Sequence, residues 1–118
     1  MAEARAPRGA PAAPVEDPVL AEVVSRLVDV YHPERIYLFG SRATDEAGRD
    51  SDYDLMVVVP DDAPPALRRG GPAYTALWPL GVAADVLVWT RTAFDERLHL
   101  RASLPATVVR EGRLVFSA

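Results

Sequence analysis

The sequence predicts an α/β or α+β fold, a single sheet layered with helices, and three observations carry that prediction. Helically spaced apolar stretches alternate with short runs rich in β-branched and aromatic residues. Gly and Pro stand at the joints between them. The chain has 118 residues, 49% of them apolar, which supports one modest core and no second one of comparable size.

Residues 1–16, MAEARAPRGAPAAPVE, hold Ala and Pro and little to bury, so they are expected to be a disordered tail ahead of a domain at 17–118. Asp17-Pro18 is a helix start, with Asp as N-cap and Pro at the first helical position. Leu20, Val23, Val24, Leu27 and Tyr31 follow at helical spacing, and Pro33 bounds the helix. Arg35 to Phe39 reads as a short strand that stops at Gly40-Ser41, and Ser41 to Ala47 as a brief helix. Tyr53 to Val59 is apolar almost throughout, the pattern of a central strand buried on both faces. Gly70-Gly71-Pro72 interrupts the helical stretch Ala63 to Trp78, so a broken helix or two short ones are expected there. Val82 to Trp89 reads as a third buried strand, carrying Asp85, and Thr92 to Leu98 as a short helix. Ser103-Leu104-Pro105 opens a last helix that Gly112 ends, leaving Leu114 to Phe116 as an edge strand or a docking tail. No internal repeat is visible.

Composition narrows the function classes. No apolar run reaches the length that crosses a bilayer, and the N-terminus lacks the apolar core of a signal peptide. Cysteine is absent, so a disulfide framework is excluded and a cytoplasmic location is the default expectation. The net charge is −4, and all 13 basic residues are Arg, scattered without forming a block. Nucleic acid is therefore not the expected main partner, because sequence-independent phosphate binding needs a concentrated basic surface. With no Lys, Schiff-base chemistry and Lys-dependent phosphate loops are excluded, and Arg supplies every fixed positive side-chain charge.

Residues two apart on a strand point the same way, so Asp52 and Asp54 project together at the start of the second strand. Paired carboxylates in a partly buried site repel and raise each other's pKa unless a cation sits between them. A hard divalent ion suits such oxygens, and Mg²⁺ binds through one or two carboxylates together with substrate phosphates. If the third strand lies beside the second, Asp85 completes a three-Asp cluster able to hold two ions. Gly40-Ser41, at a strand-to-helix junction, offers free backbone N–H groups and the positive end of a helix dipole to an anion. Arg42 and Arg49 are the candidate side chains for phosphate oxygens left uncovered by metal.

Taken singly, each element has a plain structural reading. A Gly-Ser turn is usually a turn, a D-x-D is more often a strand end or loop cap, and a lone Asp85 is as commonly one half of an ion pair with Arg. Their order along the chain is what distinguishes them. His32 and His99 read as surface or turn residues, Trp78, Trp89 and Phe94 as core, and Arg68-Arg69 as a solvated helix face.

GSRA, then SDYDL, then ADVLV resembles the nucleotidyltransferase superfamily, whose signature is Gly-Ser, a variable stretch, Asp-x-Asp and a third carboxylate on a later strand. The likeness runs from about Val19 to Phe116 and is strongest to the small prokaryotic members called minimal nucleotidyltransferases, or MNT proteins. It implies a nucleotidyltransferase fold, a short mixed β-sheet with helices packed on it. It also implies Mg²⁺-dependent transfer of a nucleotidyl group, with two ions and ATP as donor. Asp52 and Asp54 would then hold both ions and the triphosphate, and Asp85 one ion and the proton of the attacking hydroxyl. The family often has Arg and Gly where this chain has Thr44 and Asp45, so one cation near the phosphates is gone and one anion added. Small MNT proteins resemble antitoxins whose partners are helical HEPN ribonuclease toxins. That resemblance implies adenylylation of a hydroxyl, a Tyr, on the toxin, in a homo- or hetero-oligomer. Two alternatives stand beside it: a non-catalytic antitoxin that acts by binding, with Leu104 to Phe116 as one candidate docking segment, and transfer to a small molecule such as an aminoglycoside.

Overall fold

In the computed structural model, residues 17–40, 43 and 52–118 are described. The tail at 1–16, the brief helix expected at Ser41 to Ala47 (Ala43 apart), and Arg42, Thr44, Asp45 and Arg49 lie outside those residues.

Helix α1 spans Pro18–Tyr31 and begins as its sequence predicts. The Asp17 carboxylate accepts hydrogen bonds from the Val19 and Leu20 amides at 2.9 and 3.2 Å, satisfying donors that have no partner within the helix. It ends at His32, which adopts φ 47° as its amide donates to the Val28 carbonyl, and Pro33 then prevents continuation. Four strands follow in chain order: β1 (Arg35–Phe39), β2 (Tyr53–Val59), β3 (Ala84–Thr90) and β4 (Arg113–Ser117). They form one mixed sheet in the order β3-β2-β1-β4, with β1 antiparallel to both β2 and β4 and β2 parallel to β3.

The crossover from β2 to β3 carries a 3-10 turn at Pro65–Arg68, helix α2 at Gly71–Leu77 and a second 3-10 turn at Trp78–Leu80. The break expected near Gly70 is therefore present. Helices α3 (Arg91–Asp95) and α4 (Leu104–Glu111) come after β3, with Thr90 and Ser103 as their N-caps.

Alternation along β2 sorts its side chains between two cores. Tyr53, Leu55, Val57 and Val59 pack with Leu20, Val23, Leu27 and Tyr31 of α1 and with Ala73 and Leu77 of α2. Met56 and Val58 face the other way and pack with Tyr37, Phe94 of α3 and Val108 of α4. β2 is the strand buried on both faces, with every residue from Leu55 to Val59 fully enclosed. Two ties fix the helices over the first face. The Tyr53 hydroxyl donates to the Asp17 carboxylate at 2.6 Å. The buried Tyr31 hydroxyl donates to the Arg69 carbonyl at 2.6 Å and accepts from the Ala73 amide at 3.0 Å, holding the start of α2.

Two expectations need correction. β3 is half-buried apart from the exposed Asp85, because it is the edge strand of the sheet, covered on fewer sides than its apolar sequence suggested. Trp78 is not core: it is 69% exposed, since α2 turns Ala73 and Leu77 inward and leaves the face that Trp78 extends in solvent. Phe94 is fully buried and Trp89 partly so, as expected of core aromatics. β4 takes the edge-strand alternative for Leu114 to Phe116. Among the described residues, no helix is long and apolar enough to cross a membrane.

Candidate active site

The start of β2 is where the sequence motifs converge. Tyr53 turns toward α1, so Asp54 on the same strand turns toward the opposite face, and Asp52 lies exposed just ahead of the strand. The parallel register sets Asp54 directly beside Asp85 of β3, which is the adjacency the three-carboxylate reading requires. On the other side of β2, the antiparallel register sets Phe39 beside Asp54. The next residue, Gly40, has φ 76°, and a Cβ placed on it would overlap the Asp54 carboxylate Oδ2 and stand 3.2 Å from its Cγ. Only glycine combines that backbone angle with that approach. Gly40, Asp54 and Asp85 thus form a row across three neighbouring strands.

The electrostatics follow from the row. Asp54 is half-buried, and its carboxyl is pushed above the ordinary carboxylate value first by burial, then by the negative charges of Asp85 and Asp52. Among the described residues no Arg forms an ion pair with Asp52, Asp54 or Asp85. Three carboxylates with no cationic partner among the described residues, one of them raised by burial and by the other two, are an all-oxygen donor set of the kind a hard divalent cation relieves. The donor chemistry fits such an ion. Among the described residues, no three His, Cys, Asp or Glu side chains stand together as ready metal ligands. Ser41, Arg42 and Arg49, the other expected members, lie outside the described residues.

A cleft of about 670 Å³ opens beside the row, between β3 and α2. Asp52 and Asp85 line it together with Tyr74, Leu77, Trp78 and the run from Gly81 to Val86. Tyr74 and Trp78 are each 69% exposed, and their rings stand 5.5 Å apart, tilted by 54°. Tyr74 escaped the sequence reading. Its signal was its place four residues before Trp78, on the helix face adjacent to that of Ala73 and Leu77. The remaining candidates are unremarkable in place: His32 caps α1 in a turn and His99 is exposed. Arg68, also exposed, donates to the Ala63 carbonyl at 2.8 Å.

Comparison with known proteins agrees with this geometry. The family model of the nucleotidyltransferase domain matches residues 19–114. No curated protein matches the sequence. Among solved structures, the fold is similar to a toxin–antitoxin crystallised with AMP-PNP, at a TM-score of 0.54 and 23% identity, covering 80% of this chain and 69% of that one. A mutant of the MntA-HpeT toxin–antitoxin gives a TM-score of 0.48 at 22% identity, covering 77% of this chain and 68% of that one. A match running from α1 to the start of β4, with the Gly-Ser, Asp-x-Asp and third-Asp positions inside it, is decisive for the family: the chain belongs to the nucleotidyltransferase domain family.

Proposed function

We propose that this nucleotidyltransferase moves AMP from ATP to a tyrosyl hydroxyl of a HEPN-type ribonuclease toxin and acts as that toxin's antitoxin in the cytoplasm. The observation that carries the reading is the row Gly40, Asp54, Asp85, with Asp52 at its side.

In this mechanism Asp52 and Asp54 would hold two Mg²⁺ ions, and Asp85 would help to hold one of them. Bound there, such ions neutralise charge on the phosphoryl oxygens and on the attacking and departing oxygens. Gly40, which has no Cβ, lets the triphosphate approach the backbone there, and Ser41, Arg42 and Arg49 would contact its oxygens. Asp85, exposed at the sheet edge, takes the proton of the attacking hydroxyl. The chain's own contribution is mainly placement, as in phosphoryl transfer generally.

The donor assignment is supported by the similar fold crystallised with AMP-PNP, and the partner assignment by that protein's being a toxin–antitoxin. Incubating the protein with the product of the neighbouring gene, α-labelled ATP and Mg²⁺ should label the partner and release pyrophosphate. Folded protein that binds nucleotide yet leaves the partner unlabelled overturns the reading. The alternative is neutralisation by binding alone. Asp54→Asn separates the two, because a binding antitoxin still protects cells when that carboxylate is lost.

A further inference from the structure

Tyr53 stands between Asp52 and Asp54 and is held at two points. Its amide donates to the Ala83 carbonyl at 3.0 Å, and its hydroxyl donates to Asp17 Oδ2 at 2.6 Å. The side chain is buried on the α1 face of the sheet. The Asp17 carboxylate divides its work: Oδ1 accepts from the Val19 and Leu20 amides that open α1, and Oδ2 accepts from the phenol. Asp17 lies ahead of the residues, 19–114, that match the family model, so the family assignment does not itself supply this tie.

We infer that Tyr53, held by Asp17, is a positioning residue for the carboxylates of Asp52 and Asp54, so that the N-cap of α1 fixes where they stand. What those carboxylates bind rests on the nucleotidyl-transfer reading above. Asp52 needs such a support most. The pairing of β2 with β1 ends at Asp54 and that with β3 ends at Tyr53, so Asp52 lies beyond both ladders and is exposed. A roll of the chain about the strand axis at Tyr53 would carry Asp52 and Asp54 with it. The Tyr53 side chain, pinned at its tip, resists that roll with a lever the length of the whole side chain, and a hydroxyl donating to a carboxylate is among the stronger hydrogen bonds. A phenylalanine would fill the same apolar space, so the hydroxyl serves the tie and not the packing. A buried tyrosine hydroxyl commonly has a partner for structural reasons alone. Tyr31 supplies that comparison: its hydroxyl is bonded on the same face, but to Arg69 and Ala73 at the start of α2, away from Asp52 and Asp54.

The test compares three variants of the full chain. Tyr53→Phe keeps the ring and removes the tie, Asp17→Ser keeps a cap for α1 but is too short to reach the phenol, and Tyr31→Phe is the control. Calorimetric titration with Mn²⁺ and α,β-methylene ATP should show Tyr53→Phe and Asp17→Ser each binding about tenfold more weakly, the loss typical when a group that orients metal ligands is removed. The double variant should bind no more weakly than either, because both substitutions remove one interaction. Tyr31→Phe should bind as the wild type does, although it melts lower. In the metal-free ¹⁵N-labelled chain, Tyr53→Phe and Asp17→Ser should speed hydrogen exchange at the residue 53 amide and leave that of Val57 unchanged. Wild-type binding by Tyr53→Phe, an equal loss in Tyr31→Phe, or unaltered exchange at residue 53 overturns the inference. A wild-type chain that binds neither Mn²⁺ nor the nucleotide strikes the nucleotidyl-transfer reading instead, and the exchange rates then decide the inference by themselves.

Discussion

Replacing Gly40 by Ala tests whether the close approach of that turn to Asp54 organises the site, and Gly81 supplies a matched control. Gly40 and Gly81 have φ of 76° and 62°, so an alanine at either suffers similar backbone strain. Left-handed backbone costs an L-residue roughly 1–2 kcal/mol. For a domain of this size that lowers the melting temperature by about 4–8 °C per kcal/mol. The surroundings differ. A Cβ on Gly81 meets nothing within 4 Å, whereas one on Gly40 overlaps the Asp54 carboxylate, 3.2 Å from its Cγ and 3.4 Å from its Cβ. Asp54 must therefore swing away in Gly40→Ala and stay in place in Gly81→Ala. A misplacement of about 1 Å at a reacting centre costs on the order of 100-fold in rate. Thermal melts combined with calorimetric titration of Mn²⁺ and ATP should show both variants destabilised, with nucleotide-linked Mn²⁺ binding lost in Gly40→Ala alone. Because Gly81 lines the cleft, the comparison is made on melting and nucleotide binding. If Gly40→Ala binds Mn²⁺ and ATP as the wild type does, the approach of Gly40 to Asp54 does not shape the site and the reasoning fails.

Three further outcomes are expected. The raised Asp54 value means the folded state holds that proton more tightly than the unfolded chain. Without metal, stability therefore falls as pH rises from the ordinary carboxylate range through the higher folded value, and Asp54→Asn should melt above wild type at pH 7, by on the order of 1 kcal/mol or less, with the two curves converging in acid. Asp61 shifts the other way, held low by the Thr92 hydroxyl at 2.5 Å and amide at 2.8 Å and by Arg91 at 3.2 Å. Its contribution is present above the ordinary carboxylate range and lost as pH falls through the lower folded value, so melts of Asp61→Asn against wild type should differ at pH 7 and merge in acid. Tyr31→Phe leaves the Ala73 amide and the Arg69 carbonyl without their partner in a nearly dry environment, and chemical denaturation should register a loss of about 1–3 kcal/mol, with the amides of α2 exchanging faster.

What was legible in the sequence was what depends on local period and chemistry. The cap at Asp17 and the two-faced burial of β2 follow from spacing and apolar content, and the fold reproduces them. The placement of Asp85 beside Asp54 required a pairing across the α2 crossover, which spacing alone does not encode and which the motif order suggested. β3 shows the limit. VAADVLVW is as apolar as a central strand, but edge or centre is decided by which strands pair, and the order β3-β2-β1-β4 puts it outside. Trp78 was misjudged for a related reason: a large aromatic is core by default, and its exposure depends on which face of α2 meets α1.

The parallel pairing of β2 and β3 also divides the site by firmness. Asp54 stands on the strand that is buried on both sides, whose opening requires the whole domain to unfold, while Asp85 rides on a strand with a single ladder among the described residues. Joining the two waits for the long crossover to close, so in a growing chain the third carboxylate is the last to arrive, and on heating it is the first to go. On the proposed function, with Asp85 taking the proton, warming should therefore extinguish transfer before it melts the fold and before it releases nucleotide.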